Sequence, residues 1–155
     1  TEALLKGAGI IRVNNWKQMF NLAKCFGTQS IPKGRAVAVI SNGGGLCVMA
    51  SDAIDRHGLR LATFSEQIQK ELDETLPYFY STQNPIDLTG SGTATDFSFA
   101  LEKVNQCPNV DSILLMPLPV TINLDVKKLI DQIKQKANEE KNIKLEEDIE
   151  YVGEW

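Results

Sequence analysis

The six residues 36–41, Ala-Val-Ala-Val-Ile-Ser, form an apolar run without polar alternation. Such a run is typical of a parallel strand that is covered by helices on both faces. The run ends in Asn42-Gly43-Gly44-Gly45. We expect a helix to follow from Leu46 to about His57, because Gly58 suits the left-handed backbone that ends many helices.

Strand and helix patterns then alternate along the chain. In order, the pattern predicts strand 59–64, a helix capped by Ser65 and ended by Pro77, a short strand around 85–89, a helix capped by Thr95, strand 110–116 and a last helix that begins at Asn123 or Asp125. Parallel neighbours need such helical crossovers. The pattern therefore predicts an α/β fold with a flavodoxin-like, doubly wound parallel sheet in three layers, α/β/α.

The two ends of the chain differ from this central domain, which we place at residues 35–137. Residues 1–34 read as a helical arm or interdomain connector, with Trp16, Phe20 and Ala23 on one helical face that could pack on the sheet or on a neighbour. Residues 138–155 read as an acidic tail or connector, within which 143–152 is a candidate edge strand.

Composition and charge narrow the class of function. The 155 residues are 43% hydrophobic with a net charge of −4, and the acids are concentrated towards the end of the chain. No basic stripe suggests nucleic-acid binding, and no apolar run is long enough for a membrane span. Three widely spaced cysteines predict neither disulfides nor a metal site; they suit a reducing, cytoplasmic setting and are expected to be buried: Cys25, Cys47 and Cys107.

The glycine turn, Asn42 to Gly45, is the sharpest candidate site. It opens a helix after a strand, so its backbone N–H groups could receive an anion, helped by the helix dipole. It lacks the Gly-Lys-Ser/Thr of a P-loop and the third glycine of a dinucleotide fingerprint. From spacing alone, a tight turn that only packs the helix on its strand is the favoured interpretation, and anion contact is the alternative.

A second candidate lies between Asn84 and Thr93. Asp87 and Thr89 alternate with apolar residues, so both polar side chains would leave the sheet on one side. The alternative is a capping turn at Thr93 or Thr95. His57 is the single histidine and is expected to lie in the last turn of a helix, so no catalytic triad and no catalytic residue is predicted.

Several ordered segments resemble one family. Residues 35–58, RAVAVISNGGGLCVMASDAIDRHG, resemble the carboxy-terminal domain of the succinyl-CoA synthetase β subunit and, more closely, ADP-forming acetyl-CoA synthetases. Three further matching segments are Gly9–Val13 with Trp16 and Phe20, Asn84–Gly90 and Pro108–Leu115. The resemblance covers about residues 3–136.

The resemblance implies a domain of an ADP-forming acyl-CoA (acetate–CoA) ligase. The turn Asn42, Gly43, Gly44 and Gly45 would face a phosphohistidine from another domain, and the neighbouring loop would be Asn84, Asp87, Thr89 and Gly90. Implied partners are the phosphohistidine-bearing and CoA-binding domains and an ATP-grasp domain. The whole enzyme would use CoA, ATP/ADP and Mg, none of them held by this domain alone.

The resemblance also implies limits. The family's phosphorylated histidine lies in a His-Thr-Gly-Ser-like motif expected before residue 1, and His57 does not match it. The chain by itself is therefore expected to be inactive. One alternative is a noncatalytic synthetase-like regulatory module of a protein acetyltransferase, which a neighbouring acetyltransferase domain would identify. A flavin carrier is a weaker alternative that a colourless protein would exclude.

Overall fold

The computed structural model describes residues 2–119 and 124–141, except the side chains at 137, 140 and 141. The chain divides between Ile31 and Pro32 into two compact units, which are described separately. None of the described helices is long and apolar enough to cross a membrane.

The first unit consists of two helices, α1 (Glu2–Gly7) and α2 (Trp16–Thr28). The Asn15 side chain accepts a hydrogen bond from the Gln18 N–H and caps α2, as expected for an amide at this position. Neither helix has a buried residue, and Trp16 is 73% exposed. Packing of the apolar face of α2 against a partner stays a prediction.

The second unit alternates strands and helices. In chain order its elements are β1 (Ala36–Ser41), α3 (Gly44–Arg56), β2 (Arg60–Leu61), α4 (Glu66–Thr75), β3 (Ile86–Asp87), α5 (Ala94–Asn105), β4 (Ser112–Met116) and α6 (Val126–Lys141). All named strand pairs are parallel. The predicted α/β fold is confirmed.

β1 is the central strand of the sheet. β4 pairs with β1 from Val37 to Ser41. β2 pairs with the first two residues of β1, and β3 pairs with Ile40 and Ser41. Val37 and Ile40 each also pair with β4, which occupies one edge of β1. Both β2 and β3 therefore lie along the opposite edge of β1, one after the other.

The two faces of β1 are buried in two separate apolar clusters. Ala38 and Ile40 contribute to the larger cluster, which includes residues of α4, α5 and α6. Val37 and Val39 pack with α3 on the other face. Every residue of β1 is buried, which explains its apolar sequence and produces the three layers predicted from it.

Local capping signals place most of the helix ends. Ser65 caps α4 through the Ile68 N–H, and Gly58 follows α3 with a φ of 68°, both as predicted. The predicted cap of α5 at Thr95 is wrong. Thr93 caps this helix instead, because Asp96 is placed to complete a reciprocal capping box with Thr93.

Two further predictions need correction. The strand expected over residues 59–64 is only Arg60–Leu61, because the side chain of Asn84, described below, replaces its later pairing with β1. Cys25 is exposed rather than buried, whereas Cys47 and Cys107 are buried as expected. The candidate edge strand at 143–152 and the candidate cap at Asn123 lie outside the described residues.

Candidate functional site

The glycine turn (Asn42–Gly45) connects β1 to α3 at the carboxyl end of the central strand. The Gly43 N–H donates to the Ser41 hydroxyl at 3.2 Å, and the Gly43 carbonyl accepts the first hydrogen bonds of α3. Gly44 and Gly45 are exposed, and their N–H groups donate to no other residue in the part of the chain that the structure describes. Two backbone donors therefore remain available at the positive end of the α3 dipole.

The Asp87 carboxylate lies directly beside this turn. Asp87 pairs with Ser41 in the sheet, and its Oδ1 accepts a hydrogen bond from the Thr89 N–H at 2.9 Å. Its Oδ2 would be 2.9 Å from a Cβ atom added to Gly44, so any larger residue at Gly44 would displace the carboxylate. Burial, and secondarily the charge of Asp87, raise the pKa of the Cys47 thiol on the first turns of α3.

The Thr89 loop (Leu88–Gly92) continues from Asp87 along the same edge. Thr89 has a φ of 52°, a left-handed conformation that costs energy for a β-branched residue. Its hydroxyl lies 2.9 Å from the Ser91 hydroxyl. Gly92 packs so closely on Leu88 that a Cβ atom would lie 2.8 Å from the Leu88 Cβ. The structure thus brings the predicted Asp87, Thr89 and Gly90 to the edge that carries the glycine turn.

Asn42 has a different position from the glycines that follow it. Its side chain is only 2% exposed. Its amide nitrogen donates to the Leu118 carbonyl at 2.9 Å, and its oxygen accepts from the Leu118 N–H at 2.7 Å. The amide is thus committed to the segment after β4, and Leu118 also covers Gly43. Sequence reasoning did not assign this segment to the site; the only local signal was a strand that runs into Pro117 and Pro119.

Asn84 lies away from the carboxyl edge. Its side-chain oxygen accepts from the Val39 N–H at 2.9 Å, and its nitrogen donates to the carbonyls of Val37 and Ala62 at 2.8 and 2.9 Å. The amide therefore occupies the gap between β2 and β3 along the edge of β1. The structure does not bring Asn84 together with the other predicted site residues.

Other parts of the domain offer few features of a metal or ligand site. Among the described residues, no group of three or more His, Cys, Asp or Glu could hold a metal ion. A groove of about 640 Å³ lies between α4 and the segment that follows β2, lined by polar side chains such as Gln69 and Asp73, and it does not include the glycine turn. His57 follows α3 as its C-cap, the position predicted for it.

Comparison with known proteins identifies the family. The model of the Ligase-CoA domain matches residues 37–142. The chain is 36% identical to the α subunit of ADP-forming acetate–CoA ligase II of Pyrococcus furiosus over 73% of this chain and 24% of that protein. It is 33% identical to the ADP-forming 4-hydroxybutyrate–CoA ligase of Nitrosopumilus maritimus, over 80% of this chain and 18% of that protein.

A solved structure has a similar fold. The apo form of dinucleotide-forming acetyl-coenzyme A synthetase 1 of Ca. Korarchaeum cryptofilum superposes with a TM-score of 0.76 at 27% identity. The match covers 88% of this chain and 31% of that one. The chain spans about a quarter or less of the curated relatives named above. These matches confirm the resemblance read from the sequence: the chain belongs to the Ligase-CoA domain family, within the ADP-forming acetyl-CoA synthetases.

Proposed function

We propose that this domain of an ADP-forming acyl-CoA ligase presents its glycine turn to a phosphohistidine carried by another domain of the enzyme. The observation that carries the proposal is the pair of exposed N–H groups at Gly44 and Gly45, which have no acceptor among the described residues. Two such donors at a helix N-terminus suit the oxygens of a phosphoryl group.

The neighbouring Asp87 favours a particular form of phosphate. A free phosphate dianion would meet the negative charge of Asp87 beside the same helix end. The second ring nitrogen of a phosphorylated imidazole carries a proton when the ring is protonated, and a neighbouring carboxylate favours that form and can accept its N–H. The pair of amides with one carboxylate therefore favours phosphohistidine over free phosphate. The role of this chain would be to bind and orient the group during transfer.

The other components of the reaction belong elsewhere in the enzyme under this proposal. Mg and the nucleotide would be held by an ATP-grasp domain. CoA and the phosphorylated histidine would be supplied by their own domains. The acyl substrate is not specified by this site. The buried, unpaired thiols of Cys47 and Cys107 accord with the expected cytoplasmic location.

The test is Gly44→Asp in a complete ligase that carries this domain. Two like charges about 4 Å apart repel by ~4 kcal/mol at an effective dielectric constant of 20, and ~1.4 kcal/mol is a tenfold change in rate. We expect phosphoryl transfer between the histidine and ADP to slow at least tenfold in single-turnover measurements with radiolabelled phosphate.

A matched variant controls for charge. Ala53→Asp adds the same charge on the exposed surface of α3, about 14 Å along the helix from Gly44. It should transfer phosphate nearly normally. Normal transfer in Gly44→Asp, or equal slowing in Ala53→Asp, would show that the turn only packs α3 on β1.

A further inference from the structure

Tyr80 connects two segments whose association is not evident from the sequence. Its ring is buried, with 8% of the residue exposed, in the middle of the α4–β3 connection. Its hydroxyl donates to Asp96 Oδ2 at 3.1 Å. The same carboxylate oxygen accepts from the Thr93 N–H at 2.9 Å and the Thr93 hydroxyl at 2.8 Å, within the capping box that begins α5. Tyr80 therefore contacts the start of the helix that directly follows the Thr89 loop.

Ser81 contacts Asp87, the residue just before that loop. The Ser81 N–H donates to the Asp87 carbonyl at 3.0 Å, and the Asp87 N–H donates to the Ser81 carbonyl at 2.9 Å. Two adjacent residues of one segment thus contact the residues on either side of the loop, Asp87 before it and Asp96 after it.

Between these ends the loop contains a conformation that needs support. Thr89 is left-handed, and a strained backbone persists only where its surroundings determine it. The Thr89 hydroxyl lies 2.9 Å from the Ser91 hydroxyl, and the Tyr80 hydroxyl donates to Asp96 just beyond the loop. A tyrosine hydroxyl is protonated at neutral pH even at its ordinary pKa, and burial raises the pKa of Tyr80 further.

We propose that Tyr80 is a positioning residue that clamps the Thr89 loop and thereby keeps the Asp87 carboxylate beside Gly44. It touches no reacting group, and it acts through Asp96, which caps the helix that directly follows the loop. The effect of Tyr80 on phosphoryl transfer rests on the proposed function of the glycine turn. The effect of Tyr80 on the loop is independent of that function.

The first experiment measures hydrogen exchange of individual backbone amides by NMR in the 155-residue chain. Tyr80→Phe removes only the hydroxyl. We expect the protection of the Thr89 and Gly92 amides to fall roughly 3- to 10-fold, the range for loss of one net hydrogen bond. The Ala62 amide, which donates to Val37 in the sheet, should change less.

Tyr78→Phe is the matched control, because Tyr78 is 97% exposed two residues away and loses the same atom. It should leave the protection of Thr89 and Gly92 unchanged. Ser91→Ala, at an exposed position, should lower that protection in the same direction as Tyr80→Phe. Unchanged protection in Tyr80→Phe would overturn the proposal. So would an equal fall at Thr89 and Ala62, since that indicates only general destabilisation.

The second experiment places Tyr80→Phe in a complete ligase that carries this domain. We expect a lower rate of phosphoryl transfer with little change in KM for the acid substrate. A looser loop with normal transfer, together with normal transfer in Gly44→Asp, would refute the proposed function and leave the clamp in place. An unchanged loop alongside slow transfer in Gly44→Asp would refute the clamp alone.

Discussion

Replacing Asn84 by alanine should destabilise the second unit more than any other single amide deletion near the sheet edge. The Asn84 side chain stands where a strand residue would pair with β1, and it makes three hydrogen bonds to backbone groups. These groups belong to Val37, Val39 and Ala62, all of which are buried. Truncation removes all three bonds without touching the backbone of β1.

The magnitude follows from the groups that lose their partners. The Val37 carbonyl keeps a hydrogen bond from the Ala62 N–H at 2.8 Å. The Val39 N–H and the Ala62 carbonyl lose the partner provided by Asn84. A buried backbone group without a partner costs about 1–3 kcal/mol, so Asn84→Ala should cost about 2–5 kcal/mol. Water that reaches the half-buried site would favour the lower end.

Urea unfolding followed by circular dichroism measures this change in the 155-residue chain. Gln83→Ala is the matched control, because Gln83 is the exposed neighbour of Asn84 and should change stability by about 0.5 kcal/mol or less. At roughly 2–4 °C per kcal/mol, the melting temperature of Asn84→Ala should fall by about 4–20 °C. A loss below about 1 kcal/mol would refute the role assigned to the amide.

Asn84→Asp tests the directions of the hydrogen bonds. The new carboxylate can still accept from Val39, but its second oxygen faces the carbonyls of Val37 and Ala62. Protonation restores one donor, so the folded-state pKa of the new acid should rise above its ordinary value near 3.9. The variant should therefore be least destabilised below about pH 4 and lose stability as the pH rises through the folded pKa. A pH-independent difference from the parent chain would contradict this geometry.

Two further predictions concern titration and thiol reactivity. The hydrogen bond from Lys103 holds the pKa of Glu71 below its ordinary value, so Lys103→Met should raise that pKa in an NMR titration. The stability that this pair contributes is present at pH values above the unfolded-state pKa of Glu71. It is lost as the pH falls through the folded-state pKa. An unchanged Glu71 titration would contradict the pairing. Cys25 is exposed while Cys47 and Cys107 are buried, so one equivalent of an aromatic disulfide reagent should react rapidly and two slowly, and Cys25→Ser should abolish only the rapid phase.

Elements whose signals lie within a few consecutive residues were predicted well. The continuous apolar run of β1, the glycine turn and the Ser65 cap each indicate an element and where it begins or ends. Thr93 was named only as an alternative cap beside Thr95, although its signal, an acid three residues after a threonine, is also local. The length of β2 was overestimated because an apolar run shows where a strand can form. It does not show how many of its residues pair with the neighbouring strand.

The apolar pattern by itself determined the α/β architecture, because each strand must bury both faces and each helix one. The tertiary structure decided what the polar residues of the two motifs do. Asn42 forms hydrogen bonds with Leu118, which is 76 residues away in the sequence, and Asn84 forms one with Val39, which is 45 residues away. Nothing in either local sequence distinguishes an amide that completes a backbone network from one that faces a ligand. Only the packing of the loops along β1 leaves Gly44 and Gly45 open beside Asp87, because the directions in which those loops leave the sheet depend on the whole core.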